Sequence, residues 1–149
     1  RLYQKGYRGI LFDIDNTLVP HGAPADDRAK ALFERLRNIG FQCCLISNNQ
    51  LPRVKPFADE VGALFLEDAH KPSRKGYQLA MQKMGTTTKN TLFVGDQLFT
   101  DVYGARRTGI TSILVKPIHP KEEIQIVLKR YLEKIVIFFY RRKCKKYKV

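Results

Sequence analysis

Gly9-Ile-Leu-Phe-Asp-Ile-Asp-Asn-Thr-Leu-Val19 is the stretch on which the fold and the chemistry of this chain turn. Its apolar run, Ile10 to Phe12, leads into two carboxylates, Asp13 and Asp15, and a hydroxyl, Thr17, at alternate positions. Such a run, bounded by polar turn residues, predicts a central strand of an α/β sheet, and ligands of these sheets gather at the carboxyl ends of strands. Two carboxylates at one strand tip repel each other unless a cation or a shared proton relieves them. The stretch therefore predicts a metal site that carries chemistry. A solvated turn is the plainer alternative for an isolated Asp-x-Asp. A helix-loop-helix calcium site is excluded, since its loop needs Gly at the sixth position, where this chain has Leu18.

The pattern recurs downstream. A second strand over 41–46 ends in Ser47-Asn48-Asn49, a hydroxyl and exposed amides ahead of a helix over 52–61, which suits phosphate oxygens although Ser-Asn-Asn alone is a common turn. A brief third strand over 63–66 leads to Glu67-Asp-Ala-His-Lys-Pro72. There Pro72 is expected at the first position of a helix over 73–84, holding Lys71 extended just ahead of it, where its ammonium would neutralise a phosphate. A fourth strand over 91–94 delivers Gly95-Asp96, and Asp101 follows where a loop entering a helix over 101–108 returns toward the first strand. A fifth strand is expected over 112–115. The helix over 26–39 presents Ala29, Leu32, Phe33 and Leu36 on its apolar side, and the helix over 73–84 presents Tyr77, Leu79, Ala80 and Met84. Gly40, Gly85 and Gly109 stand at expected helix ends. His21, Glu67 and His70 read as solvated or peripheral groups.

The 149 residues suffice for one compact domain, and the 44% hydrophobic content excludes a disordered chain. No apolar run reaches the roughly 18 residues that a membrane-spanning helix needs. The chain begins at Arg1 rather than Met, so a native amino terminus, with any targeting segment, is expected to precede it. Three cysteines, Cys43, Cys44 and Cys144, do not make a disulfide framework, which implies a reducing, cytoplasmic compartment. The net charge of +13 implies an anionic partner or surface. That excess is concentrated over 129–149, where nine basic residues meet Glu133 alone.

Taken in order, Asp13-x-Asp15-x-Thr17, then Ser47, then Lys71, then Gly95-Asp96 followed by Asp101 resemble the four motifs of the haloacid-dehalogenase (HAD) type phosphatases. The wording Phe-Asp-Ile-Asp-Asn-Thr-Leu-Val-Pro, Ser-Asn-Asn, His-Lys-Pro and Gly-Asp-Gln-Leu-Phe-Thr-Asp is similar to the YqeG-like branch of the IIIA type, itself similar to phosphatidylglycerophosphate phosphatases. The resemblance implies an α/β fold, a Rossmann-like three-layer α/β/α arrangement with a mainly parallel five-stranded sheet and no cap domain. It further implies a phosphatase domain over 1–120 and an appended helix and basic tail over 121–149. Asp13 would be the nucleophile, giving an aspartyl-phosphate, and Asp15 the general acid and then base, a double duty that calls for a raised pKa. Mg2+ would be held by Asp13, the backbone carbonyl of Asp15, Asp96 and Asp101. Ser47, the amide of Asn48 and Lys71 would bind the phosphate, with Thr17 orienting the first loop. The segments 19–26 and 67–71 are too short for a cap, and an open site favours phosphate on something large, such as a lipid. Sugar phosphates or nucleotides, with a partner chain as the cap, are the alternative.

The tail points the same way. Ile124, Val127, Leu128, Tyr131, Leu132, Ile135 and Phe139 recur at helical spacing, whose first half predicts a helix packed on the sheet. Residues 135–140 are apolar on all sides and precede the basic run 141–146, which suits a helix lying peripherally on an anionic membrane that carries a phospholipid substrate. RNA held by the same charge and stacked on Tyr131, Phe138, Phe139 and Tyr140, with the phosphatase-like site unused, is the rival expectation.

Overall fold

The structure, a computed structural model, describes residues 1–119 and 124–145. Five strands, β1 (Gly9–Phe12), β2 (Gln42–Ile46), β3 (Leu64–Leu66), β4 (Thr91–Gly95) and β5 (Thr111–Leu114), pair in parallel in the order β3-β2-β1-β4-β5. The chain starts at the sheet centre, walks outward through β2 to β3, and returns to the other side of β1 as β4. The direction of winding reverses between β1 and β4. In open α/β sheets that reversal leaves a crevice at the carboxyl ends of the strands, where ligands bind.

Side chains alternate across each strand, so the sheet feeds two cores. Ile10, Phe12 and Leu45 pack with Phe33 of α1 (Asp27–Ile39) and with Val54 and Phe57 of α2 (Leu51–Val61). Leu11, Cys44 and Ile46 pack with Tyr77 and Ala80 of α3 (Arg74–Met84) and with Ala105 of α4 (Tyr103–Thr108). Burial on both faces is why the strands read as continuous apolar runs. The three-layer α/β/α arrangement is thus the one the family resemblance implied. Among the described residues no domain interrupts the loop over 13–26, and only α2 and β3 lie between Ser47 and Lys71.

Helix boundaries follow local chemistry. Asp26 caps α1 by accepting the Ala29 N–H at 2.7 Å, and Gly40 ends it in the left-handed conformation. Three expectations need correction. Pro72 is not at the first helical position: α3 begins at Arg74 with Ser73 at its N-cap, so Pro72 belongs to the preceding turn. Leu32 and Leu79 are 38% and 40% exposed: α1 buries Ala29 and Phe33, α3 buries Gly76, Tyr77, Ala80, Met81 and Met84, and each leucine falls outside its helix's buried stripe. Asp101 does not open a regular helix either. It lies inside a π-helical turn, Leu98–Val102, whose extra residue per turn precedes α4.

Cys43 and Cys44 are free and buried, and burial pushes both thiols up to about 12, so neither is a reactive thiolate. The chain divides into two compact units, Arg1–His119 and Pro120–Val149. In the second, α5 (Ile124–Lys145) carries exposed Tyr131, Leu132, Ile135, Val136, Phe138, Phe139 and Tyr140, with Phe138 and Phe139 edge to face at 5.6 Å. The side chains of Ile124, Val127 and Leu128 and of the basic run from Arg141 to Lys148, Cys144 included, lie outside the described residues. No helix among the described residues is long and apolar enough to cross a membrane.

Tyr77 joins the second core to the π turn. Its ring packs on Phe93 at 5.4 Å, and its hydroxyl donates to the carbonyls of Thr100 at 2.7 Å and Asp101 at 3.2 Å. Tyr77→Phe keeps the ring and strands those carbonyls, so urea titration is expected to show a loss of about 1–2 kcal/mol. Unchanged stability would mean that the hydroxyl does not hold the turn.

Candidate active site

Each chemistry-bearing residue sits where a strand ends. Asp13 follows β1, Ser47 follows β2, Asp96 follows β4, and Lys71 lies on the loop after β3. The Lys71 Nζ donates to Asp13 Oδ1 at 2.6 Å and to Asp101 Oδ1 at 2.7 Å, with all three residues buried. Burial opposes the Lys71 charge, but Asp101 and Asp13 outweigh it and hold the ammonium well above its usual pKa. For Asp13, burial dominates and pushes the carboxyl up to about 7; Lys71 pulls the other way, while Asp101 and Asp96 add to the rise.

The loop carrying Lys71 is fixed from two sides. Asn48 accepts the Lys71 N–H at 2.6 Å on Oδ1 and donates from Nδ2 to the Lys71 carbonyl at 3.1 Å. The Ala69 carbonyl leans on Gly76, where an added Cβ would lie 2.5 Å from that oxygen. Asp68 and His70 take φ values of 47° and 51°, a region that non-glycine residues seldom occupy and that clusters at functional sites. This clamp, rather than the start of a helix at Pro72, aims the ammonium.

Asp13, Asp96 and Asp101 each offer a carboxylate oxygen, and these oxygens lie within 4.8 Å of one another. Thr17 Oγ1 donates to Asp96 Oδ1 at 3.1 Å and sits 3.3 Å from Asp13 Oδ2. Gly95 makes room for the third acid, since a Cβ there would lie 2.5 Å from Asp101 Oδ2. That oxygen accepts the Gln97 N–H at 3.0 Å, a bond made within the π turn. Three buried hard-oxygen donors beside one ammonium fit a divalent cation of the magnesium type, which would offset the crowding of the acids.

Asp15 stands apart from this cluster. Its Oδ1 accepts the Gly22 N–H at 2.8 Å and Arg53 Nη2 at 2.9 Å, and its Oδ2 accepts Asn49 Nδ2 at 2.7 Å. The crowding by Asp13 expected from the sequence is therefore replaced by three donors. His21, expected to be merely solvated, has Nδ1 3.9 Å from Asp15 Oδ1. Ser47 Oγ accepts the Asn49 N–H at 3.1 Å, which shapes the loop after β2.

Asp13, Thr17, Ser47, Asn48, Lys71, Asp96 and Asp101 were all singled out in the sequence, and the sheet brings them to one edge. Arg53, Asn49, Tyr77 and Gln97 were not. Asn49 belongs to the quoted Ser-Asn-Asn, so its amide was in view, and Arg53 lies in the first turn of the helix that follows.

Residues 21–109 match the family described as haloacid dehalogenase-like hydrolase. The chain is 33% identical over 144 residues to "Probable phosphatase YqeG" of Bacillus subtilis, covering 96% of this chain and 84% of that protein. It is 28% identical over 159 residues to "Phosphatidylglycerophosphate phosphatase 1, chloroplastic/mitochondrial" of Arabidopsis thaliana, covering 89% of this chain but 44% of that longer protein. The cobalt-bound deoxy-D-mannose-octulosonate 8-phosphate phosphatase of Haemophilus influenzae shares the fold, with a TM-score of 0.60 at 17% identity over 72% of this chain and 68% of that one. From the motif residues gathered at one sheet edge to the match across most of its length, the chain belongs to the haloacid dehalogenase-like hydrolases, in their YqeG-like phosphatase branch.

Proposed function

We propose that this protein is a magnesium-dependent phosphatase that hydrolyses a phosphate monoester through an aspartyl-phosphate on Asp13, on a large or lipid substrate of the phosphatidylglycerophosphate class. The observation that carries the reading is the Lys71 ammonium between Asp13 and Asp101, beside Asp96, at the switch point of the sheet. Lys71 pairs there with Asp13 and Asp101, and Arg53 with Asp15. Magnesium, held by the carboxylates of Asp13, Asp96 and Asp101 with the backbone carbonyl of Asp15, would supply the charge that lets a carboxylate approach a phosphate.

A carboxylate oxygen of Asp13 attacks phosphorus in line, forming the acyl phosphate as the bond to the alcohol breaks. Asp15 gives its proton to the departing oxygen and then takes one from the water that cleaves the acyl phosphate, which returns Asp13 and inorganic phosphate. Ser47, the amide of Asn48 and Lys71 hold the transferring oxygens, and Thr17 fixes the first loop. Positioning and charge stabilisation do most of the work in phosphoryl transfer, which suits so compact a set of residues.

The large-substrate part rests on the missing insertions between β1 and α1 and between Ser47 and Lys71, and on the relative named for phosphatidylglycerophosphate. Exposed aromatics over 131–140, next to a basic run, support peripheral contact with an anionic membrane from the cytoplasmic side. Vesicle sedimentation with anionic lipid, with and without residues 135–149, is expected to show binding only by the longer chain. Equal binding would remove the membrane contact.

Phosphate release with magnesium, measured on a panel of lipid, sugar and nucleotide monophosphates, is expected to be greatest on phosphatidylglycerophosphate, and Asp13→Asn to lower kcat by on the order of 10⁴ on every active substrate. A protein silent on the whole panel that binds RNA in a salt-dependent way would replace this reading.

Asp13 also sets a pH signature. Its pKa is raised, so its charged form is penalised in the folded chain: the metal-free protein loses stability as pH climbs from the ordinary carboxylate range through about 7. Lys71 stays charged across that window. Magnesium needs the carboxylate and removes the penalty, so the thermal shift it produces is expected to grow between about pH 5 and 8. A shift independent of pH would show that Asp13 is not among the ligands.

A further inference from the structure

Asp15 is the leaving-group acid in the function proposed above, so what surrounds its carboxylate surrounds the departing alcohol. Arg53 Nη2, Gly22 N and Asn49 Nδ2 hold that carboxylate, and His21 stands 3.9 Å away. Arg53 differs from the other cation of the site. Lys71 is spent on Asp13 and Asp101 and has a side chain only 4% exposed, whereas the side chain of Arg53 keeps 22% exposure and so presents an edge to solvent beside Asp15.

The Arg53 fork is also only partly used. Its Nε is buried and meets no acceptor among the described residues. The guanidinium lies 5.7 Å from the Phe57 ring centre, one helical turn along α2, a contact that constrains it less than a hydrogen bond does. Turning this group toward a new acceptor gives up its bond to Asp15 and nothing at Nε. Arginine binds paired anionic oxygens in a two-pronged way that lysine does not match.

We infer that Arg53, with His21 beside it, reads the alcohol half of the substrate: it takes up a second anionic group, a phosphodiester or phosphate, carried a few atoms from the leaving oxygen. This rests on the phosphatase reading and adds to it a specificity residue and a reason for the three donors on Asp15. In the arrangement described, Asp15 is tied down. When the second anion draws Arg53 away, Oδ1 of Asp15 loses its strongest donor and the carboxyl is free to turn to the departing oxygen. An alcohol without that anion leaves the acid held, so the charge on the substrate selects it and completes the site in one movement.

The test compares kcat and KM for wild type, Arg53→Gln and Arg53→Lys with magnesium on three soluble esters: a short-chain phosphatidylglycerophosphate, glycerol phosphate, which lacks the second anion, and p-nitrophenyl phosphate, whose good leaving group makes least use of an acid. Wild type is expected to prefer the first ester over the second. Arg53→Gln is expected to cut kcat/KM for the first on the order of 30-fold more than for the other two, and Arg53→Lys to recover part of the difference. Equal losses on all three esters, or no loss on any, would overturn the inference. If Arg53→Gln fails to fold, the preference of the wild type decides alone, since wild-type turnover without preference sinks the inference and leaves the phosphatase reading standing. Wild type inactive on every ester removes both.

Discussion

A lysine ammonium held between two buried carboxylates is the constraint around which this protein is built. Lys71, Asp13 and Asp101 are each almost wholly out of water. Any one of them alone would be prohibitively costly there, and removing one leaves the others uncompensated. The surroundings accordingly serve the contact. Asn48 grips the backbone of Lys71 at both its amide and its carbonyl, Gly76 lets the preceding loop close in, and Gly95 gives the Asp101 carboxylate the space of a side chain. Tyr77, from the core beneath, holds the turn that carries Asp101.

Three acids, Asp13, Asp96 and Asp101, crowd together at this edge of the sheet. Burial pushes the Asp13 carboxyl up to about 7 despite a lysine at 2.6 Å, and Asp101 and Asp96 add to the rise. A cation relieves this where a hydrophobic substitution would not, and an incoming phosphate enlarges the need for it. Burial and the neighbouring acids thus leave Asp13 in want of positive charge, an electrostatic state that a metal would relieve and that an incoming phosphate would sharpen.

The parallel topology makes this affordable in so short a chain. Because every strand points the same way, every following loop emerges at the same edge, and winding out from β1 and back to β4 sets Asp13 and Asp96 on either side of the switch point. No inserted domain is needed to assemble the acids. With no such domain among the described residues, Asp15 is met by the loop after β1 and the first turn of α2, where His21 and Arg53 stand.

The sequence by itself determined the succession of strands and helices, the strand tips and the identity of the acids, because these are local: apolar runs of strand length, helix stops at glycine, and a polar residue at the end of each run; the three layers came from the family resemblance. It misjudged Leu32, Leu79 and Pro72, where the orientation and start of a helix depend on what packs against it. Only the tertiary structure decided the partners. Lys71 meets Asp101 across 30 positions, and Asp15 meets Asn49 across 34 and Arg53 across 38. No periodicity or spacing encodes which donor faces which acceptor over such separations. That choice falls to the packing of helices on the sheet, which turns the tip of each strand toward its neighbours.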